Sequence, residues 1–161
     1  MTIAQKALRH ELGDMMSSVC FKSAVTGLEE ALGAKAAAIS LIAAGRQRGK
    51  HLAQSLGLTN KSSEVSLDEV ASKLRFAVGL EGTRLCVIDR IEQTDSAWKV
   101  YTRETVCSAG ELEGSTRQCT YTLGAIQGFL EAFLGKRLRG RHTESVLRGG
   151  DFDVLEYEIL G

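Results

Sequence analysis

Residues 120–134 read TYTLGAIQGFLEAFL, and this stretch decides the fold. Apolar side chains occupy most of its circumference at helical spacing, and polarity is confined largely to Thr120, Gln127 and Glu131. A helix patterned in this way packs on more than one side. Gly135 can take the left-handed cap that ends it, and Lys136 and Arg137 suit the negative end of the helix dipole.

Period-2 segments flank that helix. Upstream, Leu85, Val87 and Ile91 alternate with Cys86, Ile88 and Arg90, and residues 97–106 place Trp98 and Val100 on one face. Both read as strands joined by a turn at residues 93–96. Downstream, residues 141–147 and 152–160 read as two strands around the turn Arg148-Gly149-Gly150-Asp151. From Thr2 to about Leu58 the apolar spacing is instead three and four, as in Val19, Ala24, Leu28, Ala31 and Leu32. Helices are expected over residues 18–32, ending at Gly33, and over residues 34–56, ending at Gly57. Ser66 followed by Glu69 is a capping-box signature that opens a third helix to about Val78. The order of helices, hairpin, helix and hairpin predicts an α+β fold, with a mainly antiparallel four-stranded sheet and helices on one face. No linker divides the chain, so residues 1–161 read as one domain, with residues 1–32 a helical extension and 33–161 the core.

Composition sets the outer bounds. A chain of 161 residues that is 43% hydrophobic and 25% charged can bury a real core without disulfides. Twenty basic residues cancel twenty acidic ones, which argues against nucleic acid as a general partner. The first eleven residues carry Lys6, Arg9 and Glu11 and do not read as a signal peptide, and no apolar run is long enough for a membrane span. Cys20, Cys86, Cys107 and Cys119 are scattered without a C-x-x-C pair, so a reduced, cytoplasmic protein is expected.

Familiar catalytic templates are missing. Residues 45–51, GRQRGKH, look like a phosphate loop, but they are one residue short, put His51 where a Ser or Thr is needed, and lie within a helix. His10, His51 and His142 each sit beside charged or polar residues and read as solvated surface. Nothing in the spacing shows that a histidine meets a cysteine. Gly45, Gly49 and Ala53 recur every four residues, as do Gly124, Gly128 and Ala132. Each set gives its helix a flat strip that suits close packing in the core, self-association, or room for a flat ligand.

The last third carries a family resemblance. Cys119, Gly124, Gly128 and Phe129 form C-x-x-x-x-G-x-x-x-G-[FL], followed by Gly135, Glu144 and the Gly150-Asp151 turn, while residues 45–49 supply G-R-x-x-G. From about Leu32 onward the chain resembles the 4-vinyl reductase domain family, which is grouped with ligand-binding domains of nitric-oxide signalling and Golgi transport and shares a TRAPP-like fold. The resemblance implies an α+β fold, frequent dimers, and a pocket for small hydrophobic molecules such as aromatic hydrocarbons or tetrapyrrole intermediates. Family members often carry cysteines in the final hairpin that are suspected of binding metal. Here Val146 and Val154 fill those places. Cys107 and Cys119 remain as candidate metal ligands, and two thiolates are too few for a closed zinc site, so zinc is not expected.

The reading that results is a non-catalytic binding domain for a small hydrophobic or tetrapyrrole-like ligand, acting as a sensor, carrier or assembly factor. Trp98, Tyr121, Ile126, Phe129 and Phe133 are the expected ligand-lining residues, with Arg46 placed to receive a carboxylate. An accessory protein or enzyme of tetrapyrrole vinyl reduction is the second reading, although no dinucleotide fingerprint is present to supply hydride. A dimeric scaffold without ligand, joined through the small-residue helices, is the third. A homodimer and an unidentified protein partner are expected in either binding or scaffold role.

Overall fold

Ser17 opens the first helix by accepting the Val19 N–H on its hydroxyl at 3.1 Å. Helix α1 then spans Ser18–Leu32 and stops at Gly33, whose φ of +82° no side chain tolerates well. The same glycine starts α2, Ala34–Ser55. Ser66 accepts the Glu69 N–H at 3.2 Å, as the capping box predicts, and α3 covers Leu67–Val78. Strands β1 (Val87–Gln93) and β2 (Ala97–Arg103) form the first hairpin. Helix α4, Tyr121–Leu134, ends at Gly135 in the left-handed conformation, and β3 (Leu138–Glu144) and β4 (Asp153–Ile159) complete the chain. The computed structural model describes residues 9–161, so the beginning of the helical reading at Thr2 and most of the segment judged not to be a leader lie outside the described residues.

Strand order is β1-β2-β4-β3, and all pairs are antiparallel. This is the α+β architecture expected from the sequence, with helices laid on the sheet. Four strand ends differ from the expectation. Leu85 and Cys86 turn their N–H groups to the Val78 carbonyl, so β1 starts at Val87. Glu104, at φ +53°, breaks β2 before Val106. In the second hairpin, pairing of Leu138 with Ile159 starts β3 three residues earlier than periodicity suggests. Residues Val146–Arg148 then form a 3-10 turn, because the Ser145 hydroxyl accepts the Leu147 N–H.

Trp98, Val100, Leu155 and Tyr157 project from β2 and β4 into the core, where Ile126, Phe129, Leu130 and Phe133 of α4 meet them. Tyr157 also donates its hydroxyl to the Leu123 carbonyl at 2.8 Å, which pins the sheet to the first turns of α4. The other side of α4 is covered by α2. The two small-residue strips make that contact. Gly45 and Gly49 face the carbonyls of Tyr121 and Ala125, while Gly124 and Gly128 face those of Ile42 and Arg46. The strips are therefore used inside the chain and are not a surface for self-association.

Candidate functional site

Two clusters stand out, one apolar and one polar. In the first, Trp98 lies edge-on to Phe133, with ring centroids 6.2 Å apart, and is 2% exposed. Its indole N–H is buried and has no hydrogen-bond partner. Leaving such a donor unpaired costs about 1–3 kcal/mol, so buried indoles nearly always find an acceptor. A cleft of about 380 Å³ runs between the start of α2 and residues 115–120, away from Trp98. The core around Trp98 is filled by protein side chains.

The polar cluster lies where the Gly-rich connection, the start of α4 and the second hairpin meet. Asp153, the first residue of β4, is fully buried. Its carboxylate accepts the hydroxyls of Thr105 (2.9 Å) and Ser108 (2.7 Å), and His142 Nε2 stands 3.1 Å from its Oδ1. Burial alone would raise the carboxyl, but hydrogen bonds from His142, Ser108 and Thr105 outweigh it and hold Asp153 down at about 2. The Cys119 N–H donates to His142 Nδ1 at 3.1 Å, and the Cys119 thiol lies 3.9 Å from Nε2. Cys107 lies near Cys119, and its own thiol hydrogen-bond partner is Thr122 Oγ1 at 3.7 Å. The neighbouring Cys119 thiol, with the N–H groups of Thr120 and Thr122, draws the Cys107 thiol below its ordinary range, while Cys107 and burial push Cys119 up. Burial pushes Cys86 up to about 12 and leaves it inert. The Gly-rich connection is tied to α1 from outside. Lys22 Nζ donates to the carbonyls of Cys107 (2.6 Å) and Ala109 (2.9 Å), and Arg117 pairs with Glu29 and Glu111.

With both clusters in place, the architecture can be compared with known structures. It matches the phenol-responsive sensory domain of the transcription activator PoxR, solved with phenol, at a TM-score of 0.70 and 13% identity, over 91% of this chain and 76% of that one. It also matches subunit 3 of the trafficking protein particle complex from Naegleria fowleri, covalently bound to palmitic acid, at a TM-score of 0.61 and 14% identity, over 89% of this chain and 93% of that one. The fold is shared. No protein-family model and no curated protein matches the sequence.

The expected ligand-lining residues divide between places in this fold. Trp98, Ile126, Phe129 and Phe133 are brought together in one core. Tyr121 is half-buried at the start of α4, edge-on to Phe21 of α1 at 5.0 Å. Arg46 points along α4 and pairs with Glu131 at 2.8 Å, so its charge is already answered within the chain. Cys107 and Cys119, expected as metal candidates, lie near one another, but only Cys119 belongs to the group of converging ligand atoms. His142 was read as solvated, but its side chain is 3% exposed and it meets Cys119, the contact that spacing could not show. Asp153 went unremarked in the sequence. An Asp set between Phe152 and Val154, at the head of a strand whose next residues are apolar, is the signal that could have found it.

Proposed function

We propose that this chain is a non-catalytic binding domain for a small, largely apolar molecule that carries one hydrogen-bond acceptor and is admitted between α4 and the sheet beside Trp98. The unpaired indole N–H of Trp98 is the observation that carries this reading. It is a directional donor among apolar side chains, the combination by which binding sites orient small molecules. The likeness in fold to a phenol-responsive sensory domain supports the same class of ligand. Because rings of the chain itself fill the core, a ligand must displace them, and Phe133 is the neighbour placed to move. A single-ring molecule asks for less displacement than a tetrapyrrole, so the smaller ligand is the better fit. Occupancy would loosen α4 against the sheet, a change that a sensor or carrier can pass to a partner.

Trp98 is the only tryptophan, so its fluorescence reports the site directly. Titration with phenol and substituted phenols should shift or quench it saturably and raise the Tm. Trp98→Phe, which keeps the ring but removes the donor, should weaken binding followed by calorimetry about 5–30-fold, the worth of one hydrogen bond. Absence of any spectral or thermal response across phenols, larger aromatics and porphyrins would remove the reading.

A homodimer is supported by a separate observation. Leu28 and Leu32 on α1 and Ile39 on α2 are exposed close to the corner between these helices. An apolar group so placed suits a second copy of the chain. Light scattering should report a dimer that Leu32→Glu with Ile39→Glu converts to monomer, and a monomeric wild-type chain would dismiss it.

A further inference from the structure

Cys119, His142 and Asp153 each offer a ligand atom, and these atoms lie within 4.8 Å of one another. Thiolate, imidazole and carboxylate together are a donor set that a divalent zinc ion accepts. The hydrogen bonds around the cluster decide otherwise. Because the Cys119 N–H donates to Nδ1 of His142, that nitrogen holds its lone pair and the proton of the neutral ring is on Nε2. From Nε2 the proton is donated to Oδ1 of Asp153. A ligating imidazole has the opposite arrangement, with a bare nitrogen on the ion and its other nitrogen donating outward.

The carboxylate is equally occupied. Oδ1 of Asp153 takes His142 Nε2–H and the Val146 N–H at 3.3 Å, and Oδ2 takes the hydroxyls of Thr105 and Ser108. Four donors match the four lone-pair positions of an ionised carboxylate. Cys107, the fourth ligand that a tetrahedral ion would want, is not among the atoms that converge there. Cys107 is engaged by Thr122 Oγ1 at 3.7 Å and by backbone N–H groups at the start of α4.

We propose that this cluster holds a proton where its donor set could hold a metal. His142 Nε2–H closes a hydrogen-bonded clamp on Asp153 that ties the connection at residues 105–108, the start of α4 and the turn of the second hairpin into one unit. The clamp uses the backbone N–H of Cys119 rather than its thiol. It involves none of the residues of the proposed ligand site, so each stands or falls separately.

The test combines metal content with the position of one proton. The full chain, purified and then dialysed against zinc chloride and back into buffer, should retain far less than one zinc per chain, and a chelator should leave its Tm unchanged. Long-range proton–nitrogen correlation spectra should place the His142 proton on Nε2. Cys119→Ser keeps the backbone donor and should melt within about 4 °C of the wild type. One zinc per chain, lost in Cys119→Ser together with a chelator-sensitive Tm, would overturn the proposal. So would a His142 proton found on Nδ1.

Discussion

Gly49 of α2 rests directly on the Ala125 carbonyl of α4, so closely that a Cβ at position 49 would overlap that oxygen and stand 2.6 Å from the Phe129 nitrogen. Gly128 stands in the same relation to the Arg46 carbonyl. Backbone cannot yield here as the tip of a long side chain would, so one methyl group must push two helices apart. Gly49→Ala and Gly128→Ala should each cost upwards of about 3 kcal/mol by urea denaturation. Gly27, inside α1, has nothing within 4 Å of the equivalent position, and Gly27→Ala should stabilise by about 0.5–1 kcal/mol. A loss at Gly27 as large as that at Gly49 would show that the close approach of α2 and α4 does not set the cost at these sites.

The pair Arg46–Glu131 joins the same two helices at 2.8 Å, and Glu131 also accepts the Gln127 amide and the Leu138 N–H, both at 3.1 Å. Burial would raise the Glu131 carboxyl, but Arg46 and these donors outweigh it and hold it below its ordinary range. Arg46→Met should cost about 2–3 kcal/mol at pH 7, short of a fully buried pair because Arg46 is 36% exposed. Without the guanidinium, burial should move the folded-state carboxyl above its unfolded value. Stability is then lost as pH rises, and the deficit of Arg46→Met should shrink between pH 7 and pH 4.5. Adding Glu131→Gln, which keeps an acceptor for Leu138, should recover part of the loss at pH 7. A deficit independent of pH would mean that the guanidinium acts by packing alone.

What could be read from the sequence follows from how local each signal is. The ends of α1 and α4 were legible because Gly33 and Gly135 mark them within the chain itself, and the all-round apolar pattern of α4 announced its burial. The boundaries of β3 were not, since they depend on pairing with β4 and on an irregularity in register between His142 and Glu144. His142 shows the limit most plainly. Its charged neighbour Arg141 suggested solvent, yet successive side chains on a strand point to opposite faces, so that neighbour says little about where His142 points. Cys107 and Cys119 were visible as a pair at the ends of one connection, but only strand register could bring His142 and Asp153 to them. The unpaired Trp98 N–H was invisible for a simpler reason: an absent partner is a property of the packed core, not of the residue.

Ser66 offers a smaller and cleaner test of a local signal. Its hydroxyl caps α3 at the Glu69 N–H, and Asp68 and Glu69 add negative charge to the first turn. Ser66→Ala should cost about 1 kcal/mol in urea denaturation, and Ser66→Asp should restore it. Equal stability of all three forms would mean that packing of α3, not its cap, sets its start.

Asp153 makes stability depend on acid in a stated direction. Its folded-state value of about 2 lies below the ordinary 3.8, so its contribution is fully present above about pH 4 and disappears as pH falls through 2. The difference amounts to about 2 kcal/mol of stability at neutral pH. Asp153→Asn keeps an oxygen for His142 Nε2–H and the Val146 N–H but puts an NH2 where the Thr105 and Ser108 hydroxyls donate. Those hydroxyls must turn to accept, and the charge that strengthens all four bonds is lost. The variant should lose about 2–4 kcal/mol at pH 7 and show a shallower acid limb than the wild type. His142→Ala removes one of those donors and should lose less. If Asp153→Asn unfolded in acid along the same curve as the wild type, the acid sensitivity would belong to other carboxylates, and the donors gathered on Asp153 would contribute packing rather than charge stabilisation.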